Sequence, residues 1–470
     1  MKIFLSGATG FVGRHLILRL LRDGHEITAW VRNPSKASLS LGGEVSIAGG
    51  ADSYELPPDA LDGFDAVINL AGEPIAGGRW TKKRKLSILK SRVETTKALV
   101  NGIKSTPKAP HIFISASAIG YYGSTVENDV TNEHGSNGNG FLPQICAAWE
   151  APLSEVPEST RVVTTRIGLV LGLQEGLLGK LTPVFDAGVG GVMGSGRQMM
   201  SWIHITDLVE IIATALTNKN FEGPINCVAP NAVSHEVFCK TLAKVLNRPC
   251  LFGVPSIALQ MALGESSQLI LDGAHITSEK LPTLSFQFEY ENLHNALTDI
   301  FGKKKPIIIE KRTKGSLGSY RLACATIVNH DFHHVRPFFF TPKSLAVLSP
   351  PGSGLELLYG YEEKMRQGTE MAFKIKMGPI PQTWVANIEE NNPEYFIDTQ
   401  VKGPMRYWHH KHSFTALESG TELRDEVNFS MPLGFLGKIA LELFAKNMLQ
   451  RLFVYRNHML KLRFGNLEGQ

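Results

Sequence analysis

The sequence predicts an α/β protein in two parts: a doubly wound parallel sheet over residues 1–302, then a smaller α+β domain of antiparallel strands with a long C-terminal helix. Three observations predict it. A buried strand, Ile3–Leu5, runs into the glycine turn Gly7-x-x-Gly10-x-x-Gly13, which opens a helix with Val12, Leu16 and Leu20 on one face before Asp23-Gly24 stops it. Short apolar strands then alternate with helical patterns to about Ile300, the signature of βαβ units. Beyond Gly302 no second glycine turn occurs, and alternating segments such as Met371-Ala-Phe-Lys-Ile-Lys-Met377 take over.

The glycine turn predicts a dinucleotide site. Its spacing differs from the commoner G-x-G-x-x-G, yet each glycine has a task. Gly7 permits the tight turn, Gly10 lets backbone approach a pyrophosphate, and Gly13 lets the helix pack on the strand. The helix N-terminus offers unpaired N–H groups and a positive dipole end to phosphates.

In chain order, the strands are Ile3–Leu5, Glu26–Val31, Ala66–Leu70, His111–Ser115 and Val162–Ile167, with helices at Leu86–Ile103 and Phe141–Glu155. The glycine-rich stretch Gly176–Arg197 reads as a loop or lid over the C-terminal strand ends. Residues 303–319 read as a linker and 320–470 as the second domain, with strands at Met371–Met377, Tyr395–Val401, His410–Thr415 and Thr421–Phe429. An amphipathic helix from Leu433 to Phe464 closes the chain, with Leu436, Ile439, Leu443, Met448, Leu452 and Tyr455 near helical spacing for packing on that sheet.

Composition narrows the class. At 470 residues, 43% hydrophobic and 20% charged, the chain is that of a soluble globular protein of two or three domains. The net charge of +4 contains no long basic block, so no nucleic-acid partner is expected. Five scattered cysteines without C-x-x-C spacing point to a reducing compartment, with neither a disulfide framework nor a zinc site. No apolar run spans a bilayer and no secretory leader is evident, which predicts a cytoplasmic location.

The residues also carry a resemblance. With the glycine turn, Asn69-Leu-Ala-Gly72, Ser115-Ala-Ser117-Ala118 and Arg166-Ile-Gly168, the first part resembles the extended short-chain dehydrogenase/reductase superfamily, a Rossmann-type fold. Gly72-Glu-Pro-Ile-Ala-Gly-Gly-Arg-Trp80, Ser117-Ala-Ile-Gly-Tyr-Tyr-Gly123 and Ser201-Trp-Ile-His-Ile-Thr-Asp207 look like its sugar-nucleotide epimerase-like subgroup. More loosely, Val335-Arg-Pro-Phe338, Leu348-Ser-Pro-Pro351 and Gly378-Pro-Ile-Pro381 are similar to START-like helix-grip domains of the polyketide cyclase and lipid-transfer superfamily, in which a curved sheet wraps a long helix.

The resemblance implies a nicotinamide cofactor held by Gly7, Thr9, Gly10, Phe11, Val12, Gly13, Asn69, Ala71, Gly72, Ser115 and Arg166. NAD enzymes of this fold place a carboxylate at the end of the second strand, where this chain has Arg32, supported by Ser35 or Lys36; NADP(H) is therefore expected over NAD(H). The superfamily uses a Ser with a Tyr-x-x-x-Lys pair. Ser117 matches the serine, but the helix at Phe141 has neither Tyr nor Lys, and Cys146 lies about where the lysine would fall. Tyr121 and Tyr122, on the same strand-end loop, are the candidate substitutes.

Glu73, Arg79 and Trp80, with Arg197, Trp202 and His204, are candidates for an aromatic-lined substrate pocket, the arginines suiting an anionic group. His330, His333, His334, His409, His410 and His412 suggest a metal, but no carboxylate completes a recognisable set, so no metal is expected. The functional expectation is an atypical NADP(H)-dependent oxidoreductase or epimerase fused to a domain that binds an apolar or amphipathic small molecule. The competing one is a non-catalytic NADP(H)-sensing module.

Overall fold

The computed structural model describes residues 1–49, 54–124, 129–302, 307–313, 318–361, 364–377 and 380–467. They form two compact units: Met1–Pro34 with Val45–Asp299, and Ser35–Glu44 with the chain from Ile300 onward. Among the described residues no helix is long and apolar enough to cross a membrane.

The first unit is built on seven parallel strands: β1 (Lys2–Ser6), β2 (Glu26–Trp30), β3 (Ser46–Ala48), β4 (Ala66–Asn69), β5 (Ile112–Ala118), β6 (Arg161–Ile167) and β7 (Gly223–Cys227). Their order across the sheet is β7-β6-β5-β4-β1-β2-β3, so the direction of winding reverses between β1 and β4. Central strands are apolar on both faces because helices cover both. Ile3, Phe4 and Leu5, Ala66, Val67 and Ile68, and Ile112, Phe113 and Ile114 are all essentially inaccessible. Helix α1 (Phe11–Arg22) follows the glycine turn, and α2 (Lys82–Ser105), capped by the Thr81 hydroxyl, packs Leu99, Val100 and Ile103 on Phe4, Val67 and Phe113.

Several expectations change. The helix expected over Phe141–Glu155 is α3 (Phe141–Glu150) followed by a 3₁₀ turn, Ala151–Glu155, because Pro152 has no N–H to continue the ladder. The stretch expected as a loop begins as helix α4 (Gly176–Asp186), whose Leu178, Leu181, Thr182 and Phe185 form a buried stripe despite the flanking glycines. Strand β7 escapes a pattern search because Gly223 and Pro224 open it; as an edge strand it tolerates them. Helix α5 (Ile205–Thr217) follows on the same scaffold.

Two buried carboxyls tie this unit together. Glu175, the residue before α4, pairs with Arg14 of α1. Burial pushes its carboxyl up to about 7, against the pull of Arg14. Asp207 in α5 accepts the backbone N–H groups of Glu289 (2.8 Å) and Tyr290 (3.1 Å). Burial also raises Asp207 to about 7, those two hydrogen bonds notwithstanding.

The second unit is one antiparallel sheet of eight strands: β8 (Ile308–Lys311), β9 (Tyr320–Val328), β10 (Glu356–Tyr359), β11 (Glu370–Met377), β12 (Ile380–Asn391), β13 (Tyr395–Lys402), β14 (Tyr407–Leu417) and β15 (Gly420–Ser430). The order is β8-β9-β15-β14-β13-β12-β11-β10. The four expected strands are present with longer bounds, and four more complete the sheet. One of these, β8, lies within the stretch read as a linker, of which 303–306 and 314–317 fall outside the described residues. Of Gly378-Pro-Ile-Pro381, the first two residues also lie outside them.

The C-terminal helix runs as α6 (Gly434–Ala440), one π turn (Leu441–Ala445) and α7 (Lys446–Phe464). A π turn inserts an extra residue and rotates the faces on either side of it out of phase. Leu436 and Ile439, expected to pack on the sheet, are accordingly 64% and 40% exposed, whereas Leu449, Phe453, Tyr455 and Met459 are buried; the Leu443 side chain lies outside those described.

Two outcomes test this account. Phe113→Ala, at a position with no exposure, should destabilise the first unit by about 3–5 kcal/mol in a urea titration. Glu175 and Asp207 hold protons more tightly folded than unfolded, so the stability they confer is complete below their ordinary values of 4.5 and 3.8 and is lost as pH rises to about 7. Urea midpoints taken from pH 4 to pH 8 should fall over that window, roughly as linkage requires, and Glu175→Gln should shrink the fall while Asp207 retains its share.

Candidate functional site

The glycine turn lies at the C-terminal ends of β1 and β4, where the winding reverses. Gly7 has φ +75°, and a Cβ there would lie 2.4 Å from the backbone carbon of Leu70. A Cβ on Gly13 would lie 2.3 Å from the Gly7 carbonyl oxygen. Both positions therefore demand glycine, because the turn packs backbone to backbone on the β4 end and α1 does the same on the turn. Gly10 is the N-cap residue of α1, extended and with no side chain capping the helix. The first-turn N–H groups are thus left for an anion, and this arrangement fits a dinucleotide pyrophosphate.

Around the turn, Thr9, Gly10 and Gly72 are exposed, and Phe11, Val12 and Ala71 partly so. Asn69 shapes the strand ends from below: it is fully buried, accepts from the Ser6 hydroxyl (2.7 Å) and the Ala71 N–H (3.2 Å), and donates to Thr96 (2.9 Å). Arg32 is exposed two residues past the end of β2. Ser35 and Lys36 belong to the segment grouped with the second unit.

The proposed catalytic residues sit where β5 ends in the 3₁₀ turn Ile119–Tyr122. Ser117 is buried and donates to Glu150 of α3 at 2.6 Å. Arg166 of β6 grips the same carboxylate with two hydrogen bonds of 2.9 and 2.8 Å and donates at 2.9 Å to the Tyr122 hydroxyl, which in turn donates to Asn226 at 2.7 Å. The Arg166 guanidinium also lies 3.5 Å from the centre of the Tyr121 ring.

Arg166, expected at the cofactor, is thus the hub of a buried network. Burial opposes its charge, but the bonds to Glu150 and Tyr122 outweigh that and raise its pKa. Burial raises the Tyr122 pKa as well, although Arg166 favours its ionised form. Cys146 is pushed up to about 12, first by burial and then by Glu150, which leaves it a packing residue rather than a nucleophile. Ser115 is fully buried. Sequence reasoning missed Glu150 and Asn226; the signal for Glu150 was its being the one charged residue of Phe141–Glu150.

The candidate substrate residues do not assemble as one aromatic-lined wall. Trp80 is buried with its indole N–H on the Ile75 carbonyl (3.0 Å), and Trp202 is fully buried with its N–H on the Asn231 carbonyl (2.9 Å). His204 is 1% exposed, caps α5 through Nδ1 (3.2 Å from the Thr206 N–H) and lies on the Tyr290 ring. All three are buried and turned into the protein, so they serve packing rather than an open wall. Glu73 is paired with Arg84 and Ser87, and Arg79 with the Met261 and Ala262 carbonyls, while Arg197 occupies an exposed loop position.

The second unit contains a cavity of about 1110 Å³, counted to its open mouth, between the sheet and α7. Its lining is mostly apolar, with Phe373, Trp384, Trp408 and Met448 among it; two serines, Ser344 and Ser349, also line it, and its charged groups Asp398, His410, His412 and Arg456 meet together. His410 and His412 alternate along β14 and so share a face; Asp398 on β13 stands opposite His410, and Asp425 on β15 opposite His412. This corrects the expectation that no carboxylate joins these histidines: strand pairing brings two. His409 lies on the other face, and His333 and His334 are exposed. Burial opposes ionisation of Asp425, but Arg456 and both imidazoles hold its carboxyl well below the usual range.

Comparison with known proteins places these features. A model described as the NAD dependent epimerase/dehydratase family matches residues 3–227, a domain of unknown function (DUF1731) matches 254–300, and polyketide cyclase / dehydrase and lipid transport matches 344–453. The chain is 38% identical over 306 residues to the chloroplastic epimerase family protein SDR39U1 homolog of Arabidopsis thaliana, covering 64% of this chain and 86% of that protein. It is 36% identical to epimerase family protein YfhF of Bacillus subtilis, covering 65% of this chain and 100% of that one. Human epimerase family protein SDR39U1, in a crystal structure with NADPH, superposes with a TM-score of 0.57 at 30% identity, covering 64% of this chain and 99% of that one. The chain therefore belongs, through its first unit, to the epimerase family of SDR39U1-like short-chain dehydrogenase/reductase proteins, and carries a polyketide cyclase and lipid transport domain as its second.

Proposed function

We propose that this protein is an NADP(H)-dependent oxidoreductase or epimerase of atypical short-chain type, joined to a domain that holds an apolar or amphipathic small molecule. The observation that carries it is the uncapped N-terminus of α1, set by Gly7, Gly10 and Gly13 beside the β4 end, with exposed Arg32 where an NAD enzyme has a carboxylate. The NADPH in the human relative's structure supports the cofactor choice. The pyrophosphate belongs at Gly10 and the backbone of Thr9, Phe11 and Val12, the 2′-phosphate at Arg32, and the rest of the cofactor along Ala71 and Gly72, with the buried Ser115 beneath them rather than in contact. When bound, the nicotinamide gives or accepts a hydride.

This chain's residues must manage the accompanying proton. Ser117 and Tyr122 are already committed to Glu150, Arg166 and Asn226. That leaves Tyr121, with its ring against Arg166, as the proton donor we favour. Arg79 and Arg197 are the groups we assign to an anionic substrate end. Fusing the two units in one chain raises the local concentration of whatever the second holds.

The committed state of Ser117 and Tyr122 also favours a second reading, in which the first unit senses NADP(H) without turning it over. Hydride exchange from labelled NADPH to candidate carbonyl compounds decides between them, since its absence in the presence of tight NADPH binding selects the sensor. Arg32→Ala should weaken NADPH by about 1.5–3 kcal/mol, or ~10–150-fold, while hardly changing NADH, as read by fluorescence titration; equal NADPH affinity would sink the assignment. Tyr121→Phe should abolish exchange with NADPH affinity retained. Tyr122→Phe should instead cost about 1–3 kcal/mol of stability, because Arg166 and Asn226 lose their buried partner.

A further inference from the structure

The polar end of the second unit's cavity has too few protons for its contacts. Asp398 Oδ1 lies 2.9 Å from His412 Nε2 and 3.5 Å from His410 Nδ1. Asp425 Oδ1 lies 2.7 Å from His412 Nδ1 and 3.1 Å from His410 Nε2. All four ring nitrogens thus face carboxylate oxygen, yet two neutral imidazoles carry one N–H each. Arg456 Nη2, 3.0 Å from His412 Nδ1, can donate to one of the two bare nitrogens; the other still sets a lone pair against an anion unless both rings are doubly protonated or a further cation lies between. Double protonation would place two imidazolium rings 3.7 Å apart, centre to centre, where they repel.

From this we infer that Asp398, His410 and His412 form a binding site for a divalent first-row transition ion. One ligand atom from each lies within 4.8 Å of the others. Donors bound ~2.0–2.2 Å from one ion, at right or tetrahedral angles, stand ~2.9–3.5 Å apart, which brackets both separations from Asp398. All three residues line the cavity, whereas Asp425 does not. Asp425 would take the remaining N–H of both rings and set their tautomers, the arrangement that orients ligating histidines elsewhere.

Arg456 anchors Asp425, its Nε 3.1 Å from Oδ2, and its Nη2 lies 3.0 Å from His412 Nδ1. The Asp425–Arg456 pair is neutral, so a dication with Asp398 and two neutral imidazoles keeps one net positive charge. The open coordination positions face the apolar cavity, which suits an amphipathic ligand with a carboxylate or enolisable carbonyl as its oxygen donor. Since every residue lies in the second unit, the inference stands apart from the nicotinamide reading.

The test is titration of the full-length, chelator-treated protein with Co²⁺ alone, followed by displacement with Zn²⁺. We expect one equivalent bound, with visible cobalt bands that zinc abolishes. Binding should be at least ~100-fold weaker in His410→Gln and His412→Gln, and ~10–100-fold weaker in Asp425→Asn. An unmutated protein that takes up no cobalt overturns the site and leaves a proton-sharing cluster. Folded variants that bind as tightly as the parent overturn it too. Should the variants not fold, zinc X-ray absorption on the unmutated protein decides, and a spectrum without two imidazoles rejects the assignment.

Discussion

Everything in the first unit hangs on a contact with no room for a side chain. At Gly7 the turn after β1 meets the end of β4, and at Gly13 α1 meets that turn, both backbone to backbone, with hypothetical Cβ atoms 2.4 and 2.3 Å from main-chain atoms. A single methyl group at Gly13 would push the helix off the turn, and one at Gly7 would push the turn off the β4 end. The close approach aims the N-terminus of α1 at the point where the winding reverses, and that aim is what makes the site attractive to a dinucleotide. The apolar strands beneath it provide a rigid floor, and Asn69 ties two of their ends together.

A second constraint is the charge on Arg166. A guanidinium at 5% exposure must be fully paired, and here the requirement draws in Glu150, Ser117, Tyr122 and Asn226. The result is a closed network where relatives of this fold usually keep an active tyrosine and lysine. The hydroxyls that look catalytic in the sequence are those the buried charge needs most. Our proposal of Tyr121 as proton donor follows from this, since it meets Arg166 through its ring rather than its hydroxyl.

The second unit poses the opposite problem. Its cavity is mostly apolar, and its few polar groups crowd together with more acceptors than protons to share. Burying Asp398, Asp425, His410, His412 and Arg456 side by side costs stability that an apolar lining would not, so a cluster of this kind points to a ligand. The π turn at Leu441–Ala445 has a related effect, since it re-phases the C-terminal helix so that Leu449, Phe453 and Arg456 face the cavity.

By itself the sequence determined what depends on near neighbours along the chain. The strand–glycine turn–helix opening, the central strands and the alternation of His410 and His412 are local patterns of period and backbone freedom, and each is present in the structure. Partners brought from afar were decided only by the tertiary structure. Glu150 reaches Ser117 from 33 residues away, Asp398 and Asp425 flank the histidines through strand register, and Trp202 and His204 turn inward. Strand β7 was hidden by Pro224, which an edge position permits, and the phase of the last helix was hidden by one inserted residue. Periodicity tells which face of an element is buried, but not which charge waits on the neighbouring strand, because that is set by pairing and by the need of every buried polar group for a partner.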